Sequence, residues 1–266
     1  MLKRIIAAVC ALALVLPVLF MGGQLGAELL VGVVTALVLW EYAPFCNAGA
    51  RISTFVVLLV AGLGLYALMC WGGSGWLSAA LIAGMFGVLT WSMLSQDTPE
   101  TGARMGAMMA FGLIYIPLPL AIIGKVRAMD QGLALIFLVL VATWAADTGA
   151  YFAGRFFGKA KLLERISPKK TWAGVWGGVA LSVACAIGMA AASSPDIPLV
   201  HAGALGAIIS VVGVIGDLIE SMFKRASGIK DSGGIMPGHG GLLDRVDSLL
   251  FTVPAAWIYL RWFSLG

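Results

Sequence analysis

The stretch Gly132-Leu-Ala-Leu-Ile-Phe-Leu-Val-Leu-Val-Ala-Thr-Trp-Ala-Ala-Asp147-Thr-Gly-Ala-Tyr-Phe152 decides the fold class. No charged residue interrupts it before Asp147, and up to that point only Thr143 carries a hydroxyl. A helix needs about 20 mostly apolar residues to cross the hydrocarbon of a bilayer. Comparable runs lie on either side, at roughly 5–23, 25–41, 53–72, 76–94, 103–124, 172–192, 197–220 and 248–265, which with 132–152 makes about nine. The first run follows Lys3 and Arg4 as a secretory signal would. It is longer than a signal core of about 7–15 residues and no small-x-small cleavage site follows, so it reads as a retained span. The expected fold is an all-α polytopic membrane protein of about nine transmembrane helices.

Composition agrees. Apolar residues make up 61% of the chain and charged residues 11%. A soluble domain carries about 25% charged residues to solvate its surface. The 35 glycines are nearly twice the usual share of about 7%. Small residues let helix backbones approach closely in lipid, and the spacings Gly22/Gly26, Gly102/Gly106 and Gly174/Gly178 fit that use. The cysteines, Cys10, Cys46, Cys70 and Cys185, have no C-x-x-C spacing and no histidine neighbour, so they read as small apolar fillers.

Basic residues orient the chain. With the N-terminus in the cytoplasm, all but Lys125, Arg127 and Arg261 of the 17 lysines and arginines fall on the inner side, and the C-terminus ends on the opposite face. The net charge of +4 therefore reflects loops facing an anionic leaflet and is no sign of a nucleic-acid partner. Residues 1–130 form an N-terminal group of about five spans and 131–266 a C-terminal region with two charged inner loops, 153–171 and 221–247. Two elaborated loops on one face suit an enzyme working from the cytoplasm better than a symmetric carrier.

In the second loop, Asp217, Ser221 and Lys224 share one face if the preceding helix continues, with Glu220 beside them. The glycine-rich run from Gly228 to Gly241 follows, and such backbone can turn its N–H groups onto phosphate oxygens. Carboxylates at Asp217, Glu220, Asp231, Asp244 and Asp247 alternate here with Lys224, Arg225, Lys230 and Arg245. That inventory suits a nucleoside triphosphate held through Mg²⁺, which takes one or two carboxylates plus phosphates and water. In the first loop, Lys169 and Lys170 stand beside hydroxyls at a helix start, a plausible phosphate contact. Asp147 and Tyr151 share a helix face, and an ionisable group inside a span is a functional candidate. Glu28, without a motif around it, is expected at an exposed interface, and His201 is read as incidental.

The string Ser221-x-x-Lys224-Arg225-x4-Lys230-Asp231-x5-Pro237-x-His239-Gly240-Gly241-x-x-Asp244-Arg245-x-Asp247 resembles the signature of the phosphatidate cytidylyltransferase (CDP-diacylglycerol synthase) family. Met236 is a mild departure at a position where leucine, isoleucine or phenylalanine is usual. Ser167-Pro168-x-Lys170-Thr171-x-x-Gly174 and Asp147-x-Gly149-Ala150-Tyr151 are similar to the family too, with Ala173 standing where a polar residue is common. The resemblance implies transfer of a cytidylyl group from CTP to phosphatidic acid, giving CDP-diacylglycerol and pyrophosphate, in the bacterial inner membrane. It implies Mg²⁺ as cofactor, with room for a second metal ion, and a homodimer. Asp217 and Asp244 are expected as the metal ligands, with Asp247 supporting them. Lys224, Arg225, Lys230 and Arg245 are expected to hold the triphosphate, and Asp231 and His239 to serve the reaction. Asp147, Ser167, Lys170, Thr171 and Ser221 complete the expected substrate contacts. The rival reading is a polytopic secondary transporter with a cytoplasmic polar gate. No internal repeat supports it, and no Walker-type phosphate loop supports an ATP-driven pump.

Overall fold

The computed structural model describes residues 13, 15–47, 49, 51–193, 196–229, 232–235 and 240–265. The chain forms two compact units, Met1–Lys125 with Ile229–Arg245, and Val126–Gly228 with Val246–Gly266.

The first unit holds α1 (Gly23–Cys46), α2 (Arg51–Trp71), α3 (Ser74–Ser95), α4 (Pro99–Tyr115) and nearly all of α5 (Pro117–Arg127). The expected span 103–124 begins earlier, at Pro99, because Thr98 caps the helix by accepting the Thr101 N–H (3.3 Å). It breaks ahead of Pro117, whose ring cannot donate to a preceding carbonyl. Leu39, Tyr42, Leu58, Leu65, Met105 and Leu113 fill the core. The Tyr42 ring lies over Gly112 and its hydroxyl donates to the Met108 carbonyl (2.8 Å). Gly102 and Gly106 lie against Ser92 of α3, as their spacing predicts. Glu28 is a correction: it is 3% exposed, not interfacial. Its carboxylate accepts the Trp71 indole N–H (2.6 Å) and the Gln24 amide (2.8 Å), while Tyr66 donates to its carbonyl (2.6 Å).

The second unit holds α6 (Gly132–Phe157), the strands β1 (Lys161–Leu163) and β2 (Ser167–Thr171), α7 (Trp172–Ser193), α8 (Leu199–Ala226) and α10 (Leu249–Trp262). The single turn α9 (Leu243–Val246) carries the chain into it from the first unit. β1 and β2 pair antiparallel, Lys161 opposite Thr171, so the expected charged loop 153–171 is a short helix extension and a hairpin. α6 and α7 meet backbone to backbone. A β-carbon on Gly149 would run into the Gly177 carbonyl, and one on Gly178 would lie 2.9 Å from the Ala146 carbonyl. α7 and α8 touch in the same way, Gly206 against Ser182, whose hydroxyl donates to the Gly206 carbonyl (2.8 Å). Gly213 and Gly216 let α10 approach α8, with Thr252 and Phe251 over them. His201 meets the Tyr259 hydroxyl (2.8 Å) and the Phe263 ring, a packing role.

Among the described residues, seven helices are long and apolar enough to cross a membrane. They coincide with seven of the expected runs, and the molecule is an all-α polytopic membrane protein. Of the first expected run, residues 13 and 15–23 are described and 15–21 are helical, while the last is the 14-residue α10. Phe86, Trp76, Val60 and Trp176 are each well exposed on the protein, which water would penalise and lipid does not. Cys46, Cys70 and Cys185 are free thiols, while Cys10 lies outside the described residues.

Gly149→Val is expected to destabilise the second unit by about 1–3 kcal/mol by overpacking the α6–α7 seam. Gly188→Ala, where an added carbon meets open space, should be neutral or stabilising by up to ~1 kcal/mol. Thermal melting in detergent separates the two; equal shifts would sink the seam's importance.

Candidate active site

The polar residues of the second unit converge because α8 runs on to Ala226, six residues past the apolar run, keeping its charged end helical. Asp217, Glu220, Ser221 and Lys224 then rise on successive turns of one side. Lys170, in β2, places its ammonium 2.7 Å from the Asp217 carboxylate. Lys224 lies 2.6 Å from Glu220, which is 2% exposed in its side chain. The Ser221 hydroxyl donates to Asp217 (3.2 Å). The close approach of α10 brings in Asp247, so that Asp217, Glu220 and Asp247 each offer an oxygen within 4.8 Å of the others. A cavity of about 350 Å³ opens beside them, lined by Asp147, Tyr151, Lys169, Lys170, Thr171 and Asp217.

Each expected residue of this unit has a definite place. Asp147 is on an exposed face of α6 that opens on the cavity. The Thr171 side chain is buried and its hydroxyl accepts the Gly174 N–H (3.2 Å), starting α7. Ser167 is half-buried in β2, opposite Leu163. Arg225 is exposed at the end of α8. Three carboxylates form a hard oxygen set of the kind that holds a divalent cation such as Mg²⁺. Glu220 belongs to this set and was not among the expected ligands. Its spacing of three residues from Asp217 on a helix was the available signal.

Asp244 belongs to the first unit. There its carboxylate accepts the N–H groups of Ser232 (3.2 Å) and Gly241 (3.0 Å). Gly240 holds a φ of 83°, the left-handed turn that glycine adopts freely. Arg245 is exposed on α9. Lys230, Asp231 and His239 lie outside the described residues, as do Met236 and Pro237. The described loop amides of Ser232, Ile235, Gly241 and Leu243 are all committed to carboxylates of this chain and not left open for phosphate.

Burial pushes the Asp247 carboxyl up to about 7, and the neighbouring Asp217 charge adds to the rise. The Ser248 N–H and Lys224 oppose it without cancelling it. The folded state thus holds this proton at pH values where the unfolded chain releases it. The stability it contributes is fully present below the ordinary carboxylate range and is lost as pH rises through about 7. In metal-free buffer the melting temperature of the wild type should therefore fall between pH 5 and pH 8. Asp247→Asn should flatten that fall; parallel curves would contradict it.

The fold and the site define a class: a polytopic helical membrane protein with paired carboxylates and lysines set at the end of a span. Residues 2–263 match the cytidylyltransferase family, and the chain belongs to it. It is 38% identical over 261 residues to a phosphatidate cytidylyltransferase of Pseudomonas aeruginosa, covering 95% of this chain and 94% of that one. A phosphatidate cytidylyltransferase of Bacillus subtilis is 39% identical over 178 residues, covering 66% and 65%. That of Haemophilus influenzae is 31% identical, covering 95% and 96%.

Proposed function

We propose that this chain transfers the cytidylyl group of CTP to phosphatidic acid, forming CDP-diacylglycerol and pyrophosphate. The observation that carries the reading is the cluster of Asp217, Glu220 and Asp247, with Lys170 and Lys224 against it, in a member of the cytidylyltransferase family. The attacking atom is a phosphate oxygen of the lipid, already anionic near neutral pH, so no strong base is required. It bonds to the α-phosphorus of CTP as the bond from that phosphorus to the bridging oxygen of the β-phosphate breaks. Pyrophosphate leaves with the electron pair. What remains for the protein is alignment and charge neutralisation.

Mg²⁺, held by Asp217, Glu220 and Asp247, would supply charge neutralisation at the phosphates. Lys170 and Lys224 neutralise carboxylates in the fold and have the chemistry to turn onto phosphate oxygens when substrate binds. Arg225 and Arg245, both exposed, have the charge to bind the triphosphate. Asp244, Lys230, Asp231 and His239 complete the machinery in the glycine loop, and Asp147 and Ser167 contact substrate at the cavity rim. The protein works as a homodimer in a bacterial inner membrane with this site facing the cytoplasm, the side that the lysine and arginine distribution selects.

The test is turnover by purified protein in detergent–lipid micelles with phosphatidic acid, Mg²⁺ and each of the four nucleoside triphosphates. CTP alone should give a nucleotide-linked lipid and pyrophosphate in equal amounts, and chelation of the metal should abolish both. Asp217→Asn, Glu220→Gln and Asp247→Asn should each lower kcat by about a hundredfold or more. No product with any nucleotide, from protein with a normal melting curve, would refute the reading and reinstate the transporter.

A further inference from the structure

Glu41 has no place in the mechanism above, yet it is fully buried, at 0% exposure, in the last turns of α1. A carboxylate withdrawn from water is costly unless its oxygens are satisfied. Its partners among the described residues are backbone amides of the glycine loop about 200 residues later in sequence. One carboxylate oxygen accepts the Leu243 N–H (2.8 Å) and the other the Ile235 N–H (3.4 Å), and the Leu242 amide is directed at it as well.

The loop is shaped around that carboxylate. A β-carbon on Gly233 would collide with one Glu41 oxygen, and one on Gly241 would come within 2.8 Å of the other. Gly234, next in line, meets nothing within 4 Å. The amide contacts interleave along the loop: Ser232 to Asp244, Ile235 to Glu41, Gly241 to Asp244, Leu243 to Glu41. Each carboxylate therefore ties the limb 232–235 to the limb 240–243. Asp244 does so from within the loop, whereas Glu41 does so from a helix that is itself anchored in the core by Tyr42 and Leu39.

We infer that Glu41 is a positioning residue, a helix-borne clamp that fixes both limbs of the glycine loop and thereby the place of Asp244. The catalytic consequence rests on the proposed cytidylyl transfer; the clamp itself does not.

Glu41→Gln is the informative variant, because the amide keeps one acceptor and turns a donor toward an N–H that needs an acceptor. Hydrogen–deuterium exchange should quicken about tenfold or more in residues 232–235 and 240–243, and stay unchanged across the α6–α7 seam in the other unit. The kcat for CDP-lipid formation should fall about tenfold or more while the melting temperature stays close to wild type. Glu41→Asp, which keeps the carboxylate on a shorter stem, should recover part of the rate. Gly233→Ala should reproduce the exchange and rate effects with Glu41 intact, and Gly234→Ala should not. Unchanged exchange in both Glu41→Gln and Gly233→Ala would overturn the clamp. So would exchange that quickens equally in both units, which marks general loss of stability. A wild type without CDP-lipid activity would refute the proposed reaction, while the exchange pattern would still decide the clamp.

Discussion

A carboxylate removed from water must be met by a cation or by several N–H groups, and in a chain with so few charges each solution is visible. Asp217 and Glu220 are met by Lys170 and Lys224. Asp244 and Glu41 are met by loop amides, and Glu28 by an indole and an amide side chain. At Asp247 the Ser248 N–H and Lys224 do not offset burial and the Asp217 charge, and its carboxyl holds its proton up to about pH 7 as a result. Such arrangements cost several kcal/mol of desolvation per ion, so a fold keeps them where it gains chemistry or fixes geometry.

The second unit obtains its site through glycine. Hydrophobic association gives helices little drive toward one another in lipid, so close packing of small residues takes that role. Gly149 and Gly177, then Gly206, then Gly213 and Gly216 allow α6, α7, α8 and α10 to touch in sequence. The last of these contacts delivers Asp247 to Asp217 and Glu220, since the Asp247 carbonyl lies 3.0 Å from where a Gly216 β-carbon would be. The geometry of the carboxylate cluster and the helix packing are thus the same set of contacts viewed from two sides. Membership of the cytidylyltransferase family gives that geometry its chemical meaning. Phosphoryl-type transfer between two anionic substrates asks chiefly for positive charge and alignment, which carboxylate–lysine pairs around a metal can supply.

Much was legible in the linear chain. Long apolar runs located the spans within a few residues, because a bilayer forces every backbone group to be satisfied within its own helix. The shared face of Asp217, Ser221 and Lys224 followed from helical period alone once α8 was taken to continue. Gly102/Gly106 and Gly174/Gly178 were read correctly as contact surfaces, since small residues at that spacing form a flat helix face. The hairpin in residues 161–171 was not legible: three- and five-residue strands rich in lysine carry little periodic signal.

Sequence by itself determined the membrane class, the course of the seven long spans found among the described residues, and the residue types gathered between 217 and 247. Only the tertiary structure showed which carboxylates of the second unit lie together. It drew Glu220 into the cluster with Asp217 and Asp247, and showed Asp244 gripping its own loop. It alone revealed Glu41, which sits in an apolar run between Trp40 and Tyr42 with no motif around it. Its partners are backbone amides, which every residue possesses and no sequence pattern marks.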